Sequence, residues 1–358
     1  GDDGTYFQFF TLLRKQLANN SRILINDKPL QLWTEAAVSQ MANCNIDAPI
    51  VYLGNALNLD TNALDVKGKV VAVEANSTGI NLNVSLPTWR YNRNIFVKYG
   101  MPLVRRGAAA IIFIADEQAE KSWADAAENF KRGTYDLAAK PNLPTASLPP
   151  VIWLHANAKT LLQQGTANAK INLVISTYEY PSVNVVGKVD GTDPKLKSTF
   201  VLYSGHSDAH GIRNAIKGDS VYHGADDNAS VDVAMLANAR AFVKYPAKRS
   251  VLFVIHGAEE RGLIGSRYFS EFPTVPRQNI VAVLNGDMIG RNNTDSAALL
   301  GYKPPHRNSL DLVNMALAAN REGPNFKLDT TWDEASHIEG WYFRSDHLPY
   351  ARLGIPAI

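Results

Sequence analysis

The chain has 358 residues, 46% of them hydrophobic and 20% charged, with a formal net charge of +2. So even a balance argues against nucleic acid or an anionic membrane as the partner, and no apolar run approaches the roughly 18 residues that a membrane span needs. Cys44 is the single cysteine, which excludes an intrachain disulfide and a cysteine-rich metal site.

In chain order, residues 7–13 read as a strand and 32–41 as a short helix. A β-rich stretch follows, with β-branched runs at 50–53 and 69–74 between Gly and Asn turns. Residues 96–106 are expected to be helical, 108–114 to be a buried strand and 121–135 to be loop or frayed helix. Pro141, Pro144, Pro149 and Pro150 punctuate a loop, before a strand at 151–154, a helix at 156–164 and a strand at 170–178. Beyond that point strand and helix alternate, with strands at 183–188, 199–204, 250–255 and 280–284 and helices at 230–245, 263–269 and 309–320. The pattern predicts an α/β unit at 179–358 behind a β-rich unit at 46–178, with 1–45 as an N-terminal segment of the α/β unit.

Chemistry-bearing residues gather at the ends of the later strands. His206 and Asp208 follow the run 200–203, where ligands collect in open α/β sheets. His206 is placed as a metal ligand, and Asp208 could take its other ring N–H, although this segment taken alone favours a surface His-x-Asp pair. Asp226 and Asp227 precede the helix at 230–245. Either could serve as a helix-dipole partner, whereas Asp227 could bridge two metals. Asn228 to Ser230 could cap that helix. Glu259 and Glu260 leave a buried strand side by side, which is costly without a cation nearby. One of them would bind metal while its neighbour takes a proton from water, unless the segment is simply a charged loop. Asp287 follows another strand and could be a turn residue. His347 precedes Leu353-Gly-Ile-Pro-Ala357, a turn into a buried strand.

As an ordered set, these pieces carry a resemblance. His-Ser-Asp at 206–208, Gly-Ala-Asp-Asp-Asn-Ala-Ser at 224–230, Glu-Glu-Arg-Gly-Leu-Ile-Gly-Ser at 259–266, Asn-Gly-Asp-Met-Ile-Gly at 285–290 and Ser-Asp-His at 345–347 resemble the M28 family of co-catalytic zinc peptidases. The runs at 65–71 and 107–112 resemble, more loosely, the protease-associated (PA) domain inserted in one subgroup. The resemblance implies a three-layer α/β/α mixed-sheet catalytic domain with a β-rich PA insert. It implies two Zn²⁺ per chain, one on His206 and Asp287, the other on Glu260 and His347, with Asp227 bridging both. Glu259 would be the general base and Asp208 the support of His206, and the Asp227–Asn228 peptide would be cis. The implied activity is that of an aminopeptidase working on peptides through a bridging hydroxide.

A carboxypeptidase or dipeptidase on the same scaffold would instead need Arg213, Arg261 or Arg344 to clamp a substrate carboxylate, and a non-catalytic binding protein is the third reading. Val231 stands where the family has Gly, and Gly286 where it has an apolar residue. His210 and His223 read as solvated loop residues, while His256 could lie just behind the site. Relatives are expected to continue past the segment matching Gly354 to Ala357 with a strand, a helix and a Tyr that helps to stabilise the oxyanion, so the α/β domain reads as clipped there. An exported location, periplasmic or secreted, is expected.

Overall fold

The structure is a computed structural model that describes residues 4–58, 64–80, 89–138, 148–163, 167–291 and 293–358. The loop expected at Pro141 and Pro144 lies outside these residues. The chain divides into two compact units, Gly1–Leu12 with Tyr135–Ala139 and Glu179–Ile358, and Leu13–Thr134 with Lys140–Tyr178.

The first unit is built on a six-stranded mixed sheet. Its strands are β1 (Phe7–Leu17), β2 (Thr134–Leu137), β3 (Ile175–Val189), β4 (Phe200–His206), β5 (Ser250–His256) and β6 (Ile280–Asn285), in the order β6-β4-β5-β3-β1-β2. β4 runs parallel to both β5 and β6, and β3 runs antiparallel to β5. The helices are α1 (Ser230–Lys244), α2 (Ile264–Glu271), α3 (Leu310–Glu322) and α4 (His347–Arg352). Ser309 caps α3 by accepting from the Leu312 N–H. Past Gly354 (φ +79°) the chain returns along β6, where Val283 and Ala357 form a parallel bridge.

Alternation in the strands fills both faces of this sheet. Leu202, Leu252, Val254 and Val283 point into a core shared with Phe269 of α2 and Tyr350 of α4. Val251, Phe253 and Tyr203 point the other way, against Val231, Met235 and Phe242 of α1. Helices therefore cover both faces, which is the expected three-layer α/β/α arrangement.

The second unit carries an eight-stranded sheet, ordered Lys28–Leu30, Arg22–Ile25, Asn168–Leu173, Cys44–Asn55, Val70–Glu74, Ala110–Ile114, Val151–Leu154 and Ala36–Gln40. Its centre is parallel and its margins antiparallel. Successive side chains of Val70–Glu74 and Ala110–Ile114 enter separate cores on the two faces. The short helix expected at 32–41 is instead strand Ala36–Gln40, because Ala36, Ala37 and Val38 are buried and paired with Val151–Leu154. Residues 123–132, expected as loop or frayed helix, form a regular helix. The boundary expected at residue 45 falls inside this unit, since strands 22–25 and 36–40 hydrogen-bond to strands 168–173 and 151–154.

A buried polar network locks the site end of the first unit. Asn184 on β3 donates to Gln8 Oε1 and the Gly265 carbonyl and accepts from the Gly257 N–H. The fully buried His256 faces Asn184 Oδ1 at 3.4 Å through Nδ1, and its Nε2 lies 3.1 Å from the Tyr350 hydroxyl. These partners assign the neutral tautomer with the proton on Nδ1. A Cβ on Gly265 would lie 2.3 Å from the Gly257 carbonyl oxygen, so α2 can start this close to the end of β5 only with glycine there.

Burial, with the charge of His206 as a smaller cause, lowers the His256 pKa to about 3. The unfolded chain then takes up the proton first. The stability due to neutral His256 is complete above pH 6.5, the ordinary value, and drains away as the pH falls towards 3. We expect denaturant unfolding of the metal-free protein to lose about 1.4 kcal/mol per pH unit below that point from this residue. His256→Gln should lose correspondingly less between pH 7.5 and 5, and identical losses in the two proteins would refute the assignment.

Candidate metal centre

The register of the parallel strands builds the site. Phe200 pairs with Ser250 and His206 with His256, while Ser204 pairs with Asn285. β4, β5 and β6 thus end level, and the segments that follow deliver Asp208, Glu259, Glu260 and Asp287 to one edge of the sheet. Asp227 comes from the turn ahead of α1, where the Asp227–Asn228 peptide is cis, as the resemblance implies. Buried Asn228 donates to the Gly286 carbonyl and accepts from the Met288 N–H, so it ties this turn to the loop that carries Asp287.

Among the described residues, His206, Asp227 and Asp287 form the group whose ligand atoms all lie within 4.8 Å of one another. His206 Nε2 is 3.3 Å from Asp227 Oδ1 and 3.8 Å from both Asp287 Oδ1 and Glu259 Oε2. It is buried and makes no hydrogen bond of proper geometry. Glu260 and His347 fall outside this group. Glu260 Oε2 lies 2.8 Å from His210 Nδ1. His347 is buried at the start of α4, where its ring packs against that of Tyr342 and its Nε2 has no partner.

Asp208 works differently from the sequence expectation. Its carboxylate accepts the backbone N–H groups of Glu259 (2.8 Å) and Glu260 (3.1 Å). Its backbone carbonyl, 3.1 Å from His206 Nδ1, receives the imidazole proton, while the carboxylate stays 3.8 Å away. One residue therefore orients the histidine with its main chain and the two glutamates with its side chain. Asp226 binds Arg291 and the Gly290 N–H, away from the cluster. Ser230 donates back to the Asp226 carbonyl, and Ala229, not Asn228 or Ser230, occupies the cap position of α1.

A chain of hydrogen bonds unassigned from sequence holds Asp287. Ser204 donates to Asn285, Asn285 donates to Ser345, and Ser345 Oγ donates to Asp287 Oδ2 at 2.6 Å. Its visible signal is that Asn285 and Ser345 stand in the same short motifs as Asp287 and His347. His223 is an exposed partner of Asp219, as a loop residue should be, whereas His210 is half-buried against Glu260.

The electrostatics are those of a pocket waiting for positive charge. Burial opposes protonation of His206, yet Asp227, Asp287, Glu259 and Asp346 together push its pKa up to about 12. Burial and the neighbouring Asp346 raise the Glu259 pKa well above the carboxylate range. Asp346 itself is fully buried and raised to about 7, chiefly by burial. Burial lowers the His347 pKa to about 4 and so favours a neutral ring with a free Nε2 lone pair.

An α/β/α unit with buried imidazoles and carboxylates gathered beyond the ends of parallel strands belongs to the metal-site class of α/β proteins. Residues 184–358 match the family model Peptidase family M28. A "Probable zinc metalloprotease" of Pyrenophora teres f. teres is 28% identical over 137 residues, which cover 38% of this chain and 28% of that relative. A "Probable leucine aminopeptidase 2" of Aspergillus fumigatus is 28% identical over 134 residues, 37% of this chain and 24% of the relative. The matched stretch thus spans about a quarter of each curated relative. Among solved structures, the aminopeptidase from Aneurinibacillus sp. strain AM-1 shares the fold with a TM-score of 0.54 at 19% identity, covering 99% of this chain and 75% of that one. The zinc aminopeptidase BSAP from Bacillus subtilis gives 0.53 at 19%, covering 98% and 73%.

The two departures at Val231 and Gly286 explain each other. A Cβ on Gly286 would meet Val231 Cγ1 at 2.8 Å and Cγ2 at 3.1 Å, and one on Gly205 would meet Cγ1 at 2.7 Å. Val231 of α1 fills the space that a side chain at 286 would occupy. Gly286→Val alone should overpack this corner by about 1–3 kcal/mol. The pair Gly286→Val with Val231→Gly should recover most of that loss in urea unfolding, whereas additive losses would show that the two sites are independent.

Proposed function

We propose that this chain is the working part of a zinc-dependent exopeptidase that removes N-terminal residues from peptides. The carrying observation is the cluster of His206, Asp227 and Asp287, with His206 Nε2 and His347 Nε2 among the buried nitrogens left without hydrogen-bond partners. Orphaned buried nitrogens beside unneutralised carboxylates fit a divalent cation, and a nitrogen and oxygen donor set suits zinc. Two ions are part of the proposal: His206 and Asp287 would hold one, Glu260 and His347 the other, and Asp227 both. When bound, zinc supplies Lewis acidity and makes a coordinated water acidic near neutral pH.

The remaining steps belong to the protein. Glu259 is 8% exposed and positioned through its own N–H by Asp208. It takes the proton of the attacking water and passes it to the leaving amine. Ser345 and the carbonyl of Asp208 keep Asp287 and His206 aimed at the centre. The names of the fungal and bacterial relatives favour an aminopeptidase. So does the engagement of Arg261 with the Tyr135 ring and of Arg344 with Glu339 and Trp341, since a carboxypeptidase would need such groups for its substrate. We read the inserted β-rich unit as a protease-associated domain.

Glu259→Ala should keep wild-type zinc content by elemental analysis while kcat on an aminoacyl anilide falls about 100- to 10,000-fold. Wild-type turnover in that variant would remove Glu259 from the base role. Efficient cleavage of N-acetylated peptides would exclude the aminopeptidase reading, and a purified chain with no affinity for zinc would support a binding protein instead.

A further inference from the structure

Behind His347 lies a buried polar and aromatic array that the proposed chemistry does not use. Asp333, with no exposed surface, accepts the backbone N–H groups of Gly301 (3.0 Å) and Lys303 (2.6 Å). It also accepts from His306 Nδ1 at 2.9 Å. The His306 ring, 7% exposed, lies flat on the Tyr342 ring with centroids 4.1 Å apart and planes 2° from parallel. Tyr342 in turn presses against the His347 ring at 4.8 Å and 63°.

An apolar side chain at 306 would fill the same space. A histidine tied to a carboxylate costs desolvation that packing alone does not require. What the pair adds is direction. A carboxylate fixed by two backbone donors sets the imidazole plane, and that plane sets the Tyr342 ring. Tyr342 touches His347 with its side chain, so the tilt of His347 Nε2 follows from Asp333 through two stacked rings. His347 needs such support because it stands on α4, a six-residue helix outside the sheet ladder that carries His206.

We propose that His306, anchored by Asp333, is a positioning residue that aims the metal-binding nitrogen of His347 through Tyr342. The inference rests on the zinc reading above, and it concerns the side of the centre made by Glu260 and His347. It differs from a purely structural role in one respect: loss of His306 should weaken one ion and spare the other.

The test is zinc titration of the metal-free protein against a chromophoric chelator. Wild type should take up two equivalents. His306→Ala should bind one of the two about 10- to 100-fold more weakly, the usual effect of losing support behind a metal ligand. The other equivalent should be unchanged. His306→Phe, which keeps a flat ring on Tyr342, should recover part of the loss. If His306→Ala is too unstable to purify, Tyr342→Leu must show the same one-site weakening. Wild-type affinity for both ions in the variant, or equal weakening of both, overturns the proposal. A wild-type protein that binds no zinc at all overturns the metal reading, and this inference falls with it.

Discussion

The level ending of three parallel strands is the constraint from which the site follows. Hydrogen bonding from Phe200–Ser250 to His206–His256 admits one register, and Asn285 of β6 is aligned by the same ladder. A slip of one residue would turn His206 to the other face of the sheet and carry Nε2 away from Asp227. Polarity cannot enforce this register, because both faces are apolar. Size does so instead. The face under α1 takes the aromatic rings of Tyr203, Phe242 and Phe253, with centroids 5.6–6.2 Å apart. The other face of β4 and β5 takes Leu202, Leu252 and Val254. Exchanging them would overpack one layer and leave voids in the other.

Carboxylates crowded around one buried imidazole are the second constraint. Asp227, Asp287, Glu259 and Asp346 all act on His206, and the protein places other hydrogen-bond donors so that their geometry does not relax. Ser345 fixes one oxygen of Asp287, while the N–H groups of Glu259 and Glu260 are spent on Asp208 and not on their own side chains. Such a set is unfavourable when empty and favourable around a cation, which is the electrostatic condition for tight binding.

Much of this was legible in the sequence, and the legible part is what short-range chemistry encodes. The long apolar runs of β4, β5 and β6 announce buried strands, and the acidic residues just past them announce the edge. Residues 36–40 misled because Ala-Ala-Val-Ser-Gln carries little intrinsic preference, and pairing with Val151–Leu154 decides its state. The split of labour in Asp208, main chain to His206 and side chain to Glu259 and Glu260, depends on which residues the register brings opposite it. The same holds for the Ser204–Asn285–Ser345–Asp287 chain, whose directly bonded pairs lie up to 81 positions apart along the sequence. Val231 and Gly286 look like two unrelated departures until the fold puts one side chain in the space that the other gives up.

The two sides of the proposed centre are held by different means. His206 and Asp287 stand at or just beyond the ends of β4 and β6, where the backbone ladder fixes their Cα positions. Short polar groups, the Asp208 carbonyl and Ser345, then suffice to aim them. Glu260 and His347 stand on a single turn and a six-residue helix, with no ladder beneath them. Here the supports are larger and ring-shaped: His210 against Glu260, and His306 on Tyr342 behind His347. A ligand carried by a sheet inherits its precision from the main chain. A ligand carried by a turn must obtain it from side chains, and flat rings serve because one well-placed plane restrains both position and tilt. His210, which reads from the sequence as a solvated loop residue, and His306, which no motif singles out, are therefore found on the side of the site that the sheet does not reach.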